Sequence, residues 1–363
     1  FLTCGLFFIA ISSVTFVCAF AKSKNLAEGS KKESVEKTPT NRAKGNGYPR
    51  LVNWTVLTAT LDNADEFAKW ELLGFGTDVD KQVIKKIRDK NPDVKILVWA
   101  VSGYMVVDQE FAENHEDWWL HYGEEYAGQP AKDRRYIDWV DPAGSSMLWL
   151  KFNPGKSECV NYLLKDIVQT MSLKLDDGRR MYDGICIDNL FDWSLGDNID
   201  MNNDGKAESE DNVKSLYASK MAEFLKKIRE VSNVPNLIMV ANAISGWEEN
   251  SPYWNYMNGL SQENALGKYE TGDLGNTWPK ILEEMEKNMR RAKYTPYHFI
   301  TVEVPYNATP RRLISDPQTP LADLPAREYK RMRYGLGITL LGDGYYNYNE
   351  LHASTHWFPE YDA

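Results

Sequence analysis

Short apolar runs bounded by turn residues recur along this chain, separated by stretches of helical periodicity. That alternation constrains the fold more than any other feature. The sharpest run is Tyr182-Asp183-Gly184-Ile185-Cys186-Ile187-Asp188-Asn189-Leu190. Ile185, Cys186 and Ile187 are consecutive and apolar, with no polar residue between them, which marks a strand buried on both faces. Such strands belong to parallel sheets covered by helices. Asp188, at the exit, is costly to bury unless something pairs with it or uses it.

Seven other runs take the same place in the pattern: Leu51–Leu57, Glu71–Gly76, Lys95–Val101, Asn236–Asn242, Met257–Glu263, His298–Val304 and Leu336–Asp343. Helical patterns lie between them, over Asn63–Ala68, from Thr77 to the Asn91-Pro92-Asp93 stop, and over Ser157–Leu173, Val213–Val231, Trp278–Ala292 and Ala326–Tyr334. In Ser157–Leu173 the apolar residues Val160, Leu163, Leu164, Ile167, Val168 and Met171 share one face. Eight strands with intervening helices predict an α/β fold, a (β/α)8 TIM-type barrel. A doubly wound open sheet is the rival, but no Gly-rich phosphate loop follows the first strand. After the eighth run no further helical pattern precedes Ala363, so a chain truncated at its C-terminus and lacking its last helix is expected.

The barrel is expected over residues 48–363. Residues 1–21 carry no charge and end in Ala19-Phe20-Ala21, the small-x-small pattern of a signal-peptide cleavage site. Residues 22–47 are rich in Lys, Glu, Ser, Thr and Gly and read as a disordered linker. The expected location is therefore secreted, whether extracellular, cell-surface or periplasmic, with no membrane association after signal cleavage. A net charge of -10 argues against nucleic acid as a partner. The 12 Trp and 20 Tyr suit a core, and equally a surface that packs on sugar rings. Beyond the leader only Cys159 and Cys186 remain, too few for a disulfide framework. Cys186, inside the central strand, is expected to be a buried free thiol. The section from Ser102 to Gly155 is long and holds Trp118, Trp119, Tyr122, Tyr126, Tyr136, Trp139 and Trp149. It reads as either a functional loop or packing over the barrel mouth.

In a barrel of this kind the active site lies at the C-terminal ends of the strands. Polar residues collect there on the fourth to eighth runs: Asp188 and Asn189, Asn242, Glu263 and Asn264, Glu303, and Asp343. With no Lys or His at those ends, the implied chemistry is that of paired carboxylates, which glycoside hydrolysis requires. Trp193 and Trp247, just beyond Asp188 and Asn242, are placed near the mouth, where each could equally stack on a sugar or pack against the barrel. No nucleophile elbow or phosphate loop is present.

The run Asp183-Gly184-Ile185-Cys186-Ile187-Asp188-Asn189 resembles a strand of two groups of glycoside hydrolases, the hypothetical glycosyl hydrolase-like family 15 and family 114, the endo-α-1,4-polygalactosaminidases. The segment from Gly259 to Asn264 and the closing segments Asp343–Tyr346 and His356–Asp362 resemble the first group. The likeness covers roughly Tyr48 to the end. It implies a (β/α)8 barrel with catalytic carboxylates on strands four and six, here Asp188 and Glu263. It suggests Asp188 as nucleophile and Glu263 as acid/base, without fixing which is which. Asn189, Trp193, Asn242, Trp247, Glu303 and Asp343 are then the expected substrate-binding residues, and a carbohydrate the expected partner.

One further motif lies after the fourth strand. Residues 200–211 match the D-x-[DN]-x-[DN]-G pattern of a calcium loop, with Asp200, Asn202 and Asp204 at positions one, three and five. Lys206 would give a carbonyl, Glu208 a direct or water-mediated ligand, and Asp211 stands where a bidentate Glu is usual. A structural calcium ion is expected, and no organic cofactor. Two other functions are compatible with the sequence. One is a barrel that binds carbohydrate without turnover. The other is a zinc-dependent hydrolase using His352 and His356, for which no third ligand is apparent.

Overall fold

The computed structural model describes residues 49–56, 59–123, 129–139, 146–191, 195, 198–243, 246–263, 265, 277–303, 326–349 and 357–362. The expected leader and linker, Trp193, Asn264, His352 and His356 lie outside them. In chain order the elements begin with β1 (Val52–Val56), α1 (Ala64–Phe67), β2 (Leu72–Phe75), α2 (Lys81–Lys90) and β3 (Lys95–Ser102). An insertion comes next, with β4 (Met105–Val107), α3 (Gln109–Asn114), β5 (His121–Tyr122), β6 (Ile137–Trp139) and β7 (Leu148–Leu150). Then come α4 (Ser157–Met171), β8 (Gly184–Asp188), β9 (Ile199–Asp200), α5 (Glu210–Val231), β10 (Ile238–Asn242) and β11 (Gly259–Gln262). The chain closes with α6 (Trp278–Arg291), β12 (Phe299–Glu303), α7 (Ala326–Gly342) and β13 (Tyr345–Asn349).

The large sheet runs β1-β2-β3-β8-β10-β11-β12-β13, every neighbour parallel. A parallel bridge between Leu51 and Tyr346 joins the last strand to the first, and the Tyr346 N–H donates to the Arg50 carbonyl at 2.9 Å. This is the (β/α)8 TIM-type barrel that the alternation predicts.

Alternate strand residues fill the lumen in layers. Near its N-terminal end Tyr297 and Tyr345 stack, with ring centroids 5.7 Å apart. Above them Trp54 packs edge-on against both Trp99 and Phe299, each at 4.5 Å. Cys186 belongs to this layer and is a buried free thiol. Its flanking residues Ile185 and Ile187 face outward into the helix-side core, which is why the run shows no polar alternation. Gly74 leaves room for the Trp99 indole: a Cβ there would lie 3.2 Å from Trp99 Nε1 and collide with the Trp54 carbonyl. Polar residues begin one layer higher, where Ser261, Thr301 and Asn347 are linked by hydrogen bonds of 3.2 and 3.3 Å.

The eighth strand differs from the expected one. Leu336–Asp343 is not a strand; its residues to Gly342 form the second half of α7, and the strand is Tyr345–Asn349. Met332, Leu336 and Thr339 are buried whereas Leu340 and Leu341 are exposed, a 3–4 spacing that marks a helix face. The run's apolar composition resembled a buried strand. Asp343 adopts φ 60° and ends the helix in the left-handed conformation that Asp tolerates. It therefore sits at the N-terminal end of the last strand, where it forms an ion pair with Arg50 at 3.3 Å.

The Ser102–Gly155 section is a folded insertion. β4, β7 and β6 make a small antiparallel sheet, and β5 pairs antiparallel with β9. Trp118, Trp119 and Trp149 are buried, and the Trp119 indole donates to the Ala112 carbonyl at 2.9 Å. His121 and Arg135, both buried, converge on Glu116. Burial pushes the Glu116 carboxyl up, but these two partners outweigh it and hold the group below the usual carboxylate range.

The N-terminal face of the barrel carries its own charged groups. Asp183, just before β8, accepts from Arg88 Nη2 at 2.9 Å and from the Ile96 N–H at 2.8 Å. Glu71, just before β2, is partly buried, and its Oε2 has no hydrogen-bond partner among the described residues. Burial pushes its carboxyl up to about 7, with Arg50 acting in the opposite direction. His298 is buried, and burial brings its imidazole down to about 3.

Candidate active site

Strand geometry sets the site. Asp188 is the last residue of β8, Asn242 the last of β10, and Glu263 comes directly after the end of β11. All three lie at lumen-facing positions on consecutive barrel strands. Asn242 Nδ2 donates to Asp188 Oδ1 at 3.2 Å and to Glu263 Oε2 at 3.3 Å. One amide group therefore bridges the two carboxylates that the sequence singles out. Asn242 is buried, with 8% exposure, while Asp188 and Glu263 remain partly open.

Donors from three parts of the chain hold Asp188 among the described residues. Besides Asn242, its own strand-exit turn contributes: Asn189 adopts φ 50°, and its N–H folds back onto Asp188 Oδ1 at 3.0 Å. The third is Tyr104, whose phenol donates to Asp188 Oδ2 at 3.1 Å. Tyr104 stands at the entrance to the insertion, and its ring packs on Trp149, with centroids 5.0 Å apart. The Tyr104 hydroxyl thus ties the insertion to the site. Its first residues are anchored by the Gly103 N–H, which donates to the Asp188 carbonyl at 2.8 Å. Gly103 cannot carry a side chain, since a Cβ would lie 2.3 Å from the Asn189 carbonyl oxygen.

Lys151 is a buried cation beside this region. It is 2% exposed, and its ammonium lies 5.8 Å from the centre of the Phe191 ring. Beneath the carboxylates, Trp99 is the partly exposed member of the lumen's aromatic layer. It pairs with Cys186, two residues below Asp188. Burial, reinforced by the Asp188 charge, pushes the Cys186 thiol up, so it is no nucleophile.

The remaining expected site residues separate into groups. Asp343 is at the opposite end of the barrel, because the eighth strand begins after it rather than ending at it. Trp247 is near the mouth but buried. Its indole donates to the Leu190 carbonyl at 2.6 Å and its ring packs on Tyr253 and Trp254. It holds the turn after Asp188 instead of presenting a face to a ligand. Glu303 ends β12, level with the site, and its side chain lies outside the described residues, as does Trp193.

The 200–211 loop folds around its own amides. Asp200 accepts from the Asp204 N–H at 3.1 Å and the Gly205 N–H at 2.7 Å. Asn202 accepts from the Asp204 N–H at 2.8 Å, and Asp204 from the Lys206 N–H at 2.9 Å. Gly205 has φ 89°, the tight turn expected of the sixth position. Glu208 accepts from the Met201 N–H at 2.7 Å, and Asp211 lies in the first turn of α5. Among the described residues no group of three His, Cys, Asp or Glu side chains is gathered as a metal site.

Tyr104, Lys151 and Trp99 were not among the expected site residues. For Tyr104 a signal existed: it stands just past the third strand, where the strand-end rule applied to strands four to eight would have found it. Trp99 lies inside a strand and Lys151 inside the insertion, and neither has such a marker.

Several solved structures are similar to this chain at a low level. They include a xylosidase from Aspergillus niger (6% identity, TM-score 0.41, covering 69% of this chain and 37% of that one). Xylanase 10B from Thermotoga maritima matches at 10% identity and TM-score 0.38, over 82% of each chain. A family GH18 chitinase from Cycas revoluta matches at 9% identity and TM-score 0.37, over 70% of this chain and 68% of that one. The chain thus spans well under two thirds of the xylosidase. No curated protein matches it. The model of hypothetical glycosyl hydrolase family 15 matches residues 88–363, and the chain belongs to that family.

Proposed function

We propose that this chain is a secreted glycoside hydrolase that cleaves a polysaccharide or oligosaccharide with the carboxylate pair Asp188 and Glu263. The observation that carries the reading is the single Asn242 amide in contact with both carboxylates. Two carboxylates at the mouth of one barrel, bridged by one amide and partly open, are what glycosidic bond cleavage requires. Family membership supports hydrolysis of a glycosidic bond, and the uncharged leader over residues 1–21 supports export. No helix among the described residues is long and apolar enough to cross a membrane. A hydrolysis panel of polysaccharides and oligosaccharides tests the reading, run with wild type, Asp188→Asn and Glu263→Gln. Activity is expected in the wild type only. Activity that survives both substitutions would remove the pair from the mechanism. Sugar binding without turnover would make this a carbohydrate-binding barrel.

The 200–211 loop is assigned a structural calcium ion in the same proposal. The motif spacing and the turn at Gly205 support it, and the ion would brace the segment between Asp188 and α5. Chelation is expected to lower Tm by a few degrees, restored by calcium; an unchanged Tm would refute the assignment.

A further inference from the structure

We infer that hydrolysis here proceeds with retention of anomeric configuration, through a covalent glycosyl–Asp188 intermediate, with Glu263 acting first as acid and then as base. This rests on the glycosidase reading of the pair and goes further, to its stereochemistry and the role of each carboxylate.

The shared amide carries the inference. Its contacts of 3.2 and 3.3 Å cap the separation of Asp188 Oδ1 and Glu263 Oε2 at about 6.5 Å, the two placed end to end. A planar amide directs its two N–H bonds about 120° apart, and with one aimed at each acceptor the oxygens stand about 5.6 Å apart. Inverting enzymes hold their carboxyl groups roughly 6.5–9.5 Å apart to lodge a water between base and sugar, whereas retaining ones use about 5–5.5 Å. The pair here is too close for a lodged water and well spaced for direct attack.

The donors around Asp188 assign the roles. The Asn189 N–H and the Asn242 amide bind one oxygen and the Tyr104 phenol binds the other. Hydrogen bonds to a carboxylate favour its charged form, and a nucleophile must be charged before it attacks. These donors come from the strand's own exit turn, from β10 and from the insertion, so both oxygens are fixed in position. Two carboxylates this close do not both ionise readily. With Asp188 as the attacking group, Glu263 is the carboxyl that supplies the proton to the leaving oxygen. Glu263 sits one residue past its strand on a turn, on a side chain one methylene longer, across the Asn242 amide from Asp188.

In the first step an Asp188 oxygen bonds to the anomeric carbon as the bond from that carbon to the leaving oxygen breaks. The Glu263 proton passes to that oxygen. In the second, a water gives a proton to Glu263 and its oxygen bonds to the anomeric carbon as the ester to Asp188 breaks. One water is added across the glycosidic bond, and both carboxyl groups return to their starting state.

The test uses the full chain and a panel glycan that the wild type cleaves, in buffer containing methanol, with products followed by proton NMR. The early reducing sugar is expected in the substrate's own anomeric configuration, accompanied by a methyl glycoside of the same configuration. With azide and an aryl glycoside of that glycan, whose leaving group departs without a proton, Glu263→Ala is expected to yield a glycosyl azide of retained configuration and Asp188→Gly one of inverted configuration. An early sugar of inverted configuration with no methyl glycoside would overturn the inference and leave the glycosidase reading standing. Azide products exchanged between the two variants would overturn the role assignment. No cleavage of any panel glycan by folded wild type would overturn the glycosidase reading, and the inference with it.

Discussion

Asp183 and Asp188 stand at the two ends of one short strand, five residues apart, and their surroundings are opposite. Asp183 faces Arg88, a buried guanidinium that also donates to the Met181 and Val94 carbonyls. Its charge is cancelled on the spot, and it locks α2 against the barrel floor. The donors described around Asp188 are neutral: a phenol, an amide and a main-chain N–H. They fix both carboxylate oxygens in position at the partly open end of the strand. The same residue type at two ends of one strand thus does structural work at one end and is poised for chemistry at the other. The difference lies in the donors, since the strand is common to both.

Four substitutions probe that contrast. Asp188→Asn is expected to lower kcat by about a thousandfold or more, roughly 4 kcal/mol of transition-state stabilisation, with Tm nearly unchanged. A large fall in Tm would show that Asp188 too is structural. Asp183→Asn is expected to do the reverse. Breaking a largely buried pair costs roughly 3 kcal/mol, visible in denaturant unfolding, while kcat in the folded fraction stays near wild type.

Glu71→Gln sharpens the account of the floor, because Glu71 lacks the cancelling contact that Asp183 has. Its native carboxyl holds its proton to about pH 7, against an ordinary value of 4.5. Between those values the unfolded chain releases a proton that the native state keeps, so Glu71 costs stability increasingly as pH rises, up to pH 7. Glu71→Gln is therefore expected to be more stable than wild type above pH 7, by up to about 2 kcal/mol after solvent screening. The gap should close below pH 4.5. A variant less stable than wild type at pH 8 would contradict this. The smallest effect belongs to Tyr104→Phe, which removes one donor to Asp188. Activity is expected to fall about tenfold, with the acidic limb of the kcat/KM profile displaced to higher pH. An unmoved limb would mean that the phenol is only a packing group.

Much of the barrel was legible in the sequence because parallel strands covered by helices lose their polar alternation, as Ile185-Cys186-Ile187 and Ile96–Val101 show. The eighth misled for a related reason. Leu336–Leu341 has a strand's composition, but it is the last part of a helix packed on the barrel. The true strand, Tyr345-Tyr346-Asn347-Tyr348-Asn349, alternates because its lumen positions include Asn347, in the polar layer. Asp343 was misplaced with it. Asp188, Asn242 and Glu263 were found because strand ends are defined by chain position alone. Trp247 was placed correctly along the chain but not in depth, since sequence proximity to the mouth does not reveal which way an indole faces. Tyr104 stands just past the third strand, one strand outside the range over which strand-end polar residues were sought, and its contact reaches a residue 84 positions away.

The register of β3 slips at one point. Trp99 pairs with Cys186 and Val101 with Ile187, so Ala100 is an extra residue in the strand. Each residue added to a strand turns the downstream side chains to the other face. Ala100 therefore sets the phase: with it, Ser102 stands beside Asp188 and Gly103-Tyr104 enters the insertion on the side of the carboxylates. Remove it, and the insertion would leave the barrel half a turn out of step, its phenol facing away. For evolution this is a one-codon switch. Gain or loss of a single alanine would couple or uncouple the insertion from the reaction centre, leaving the barrel's remaining seven strands unaltered.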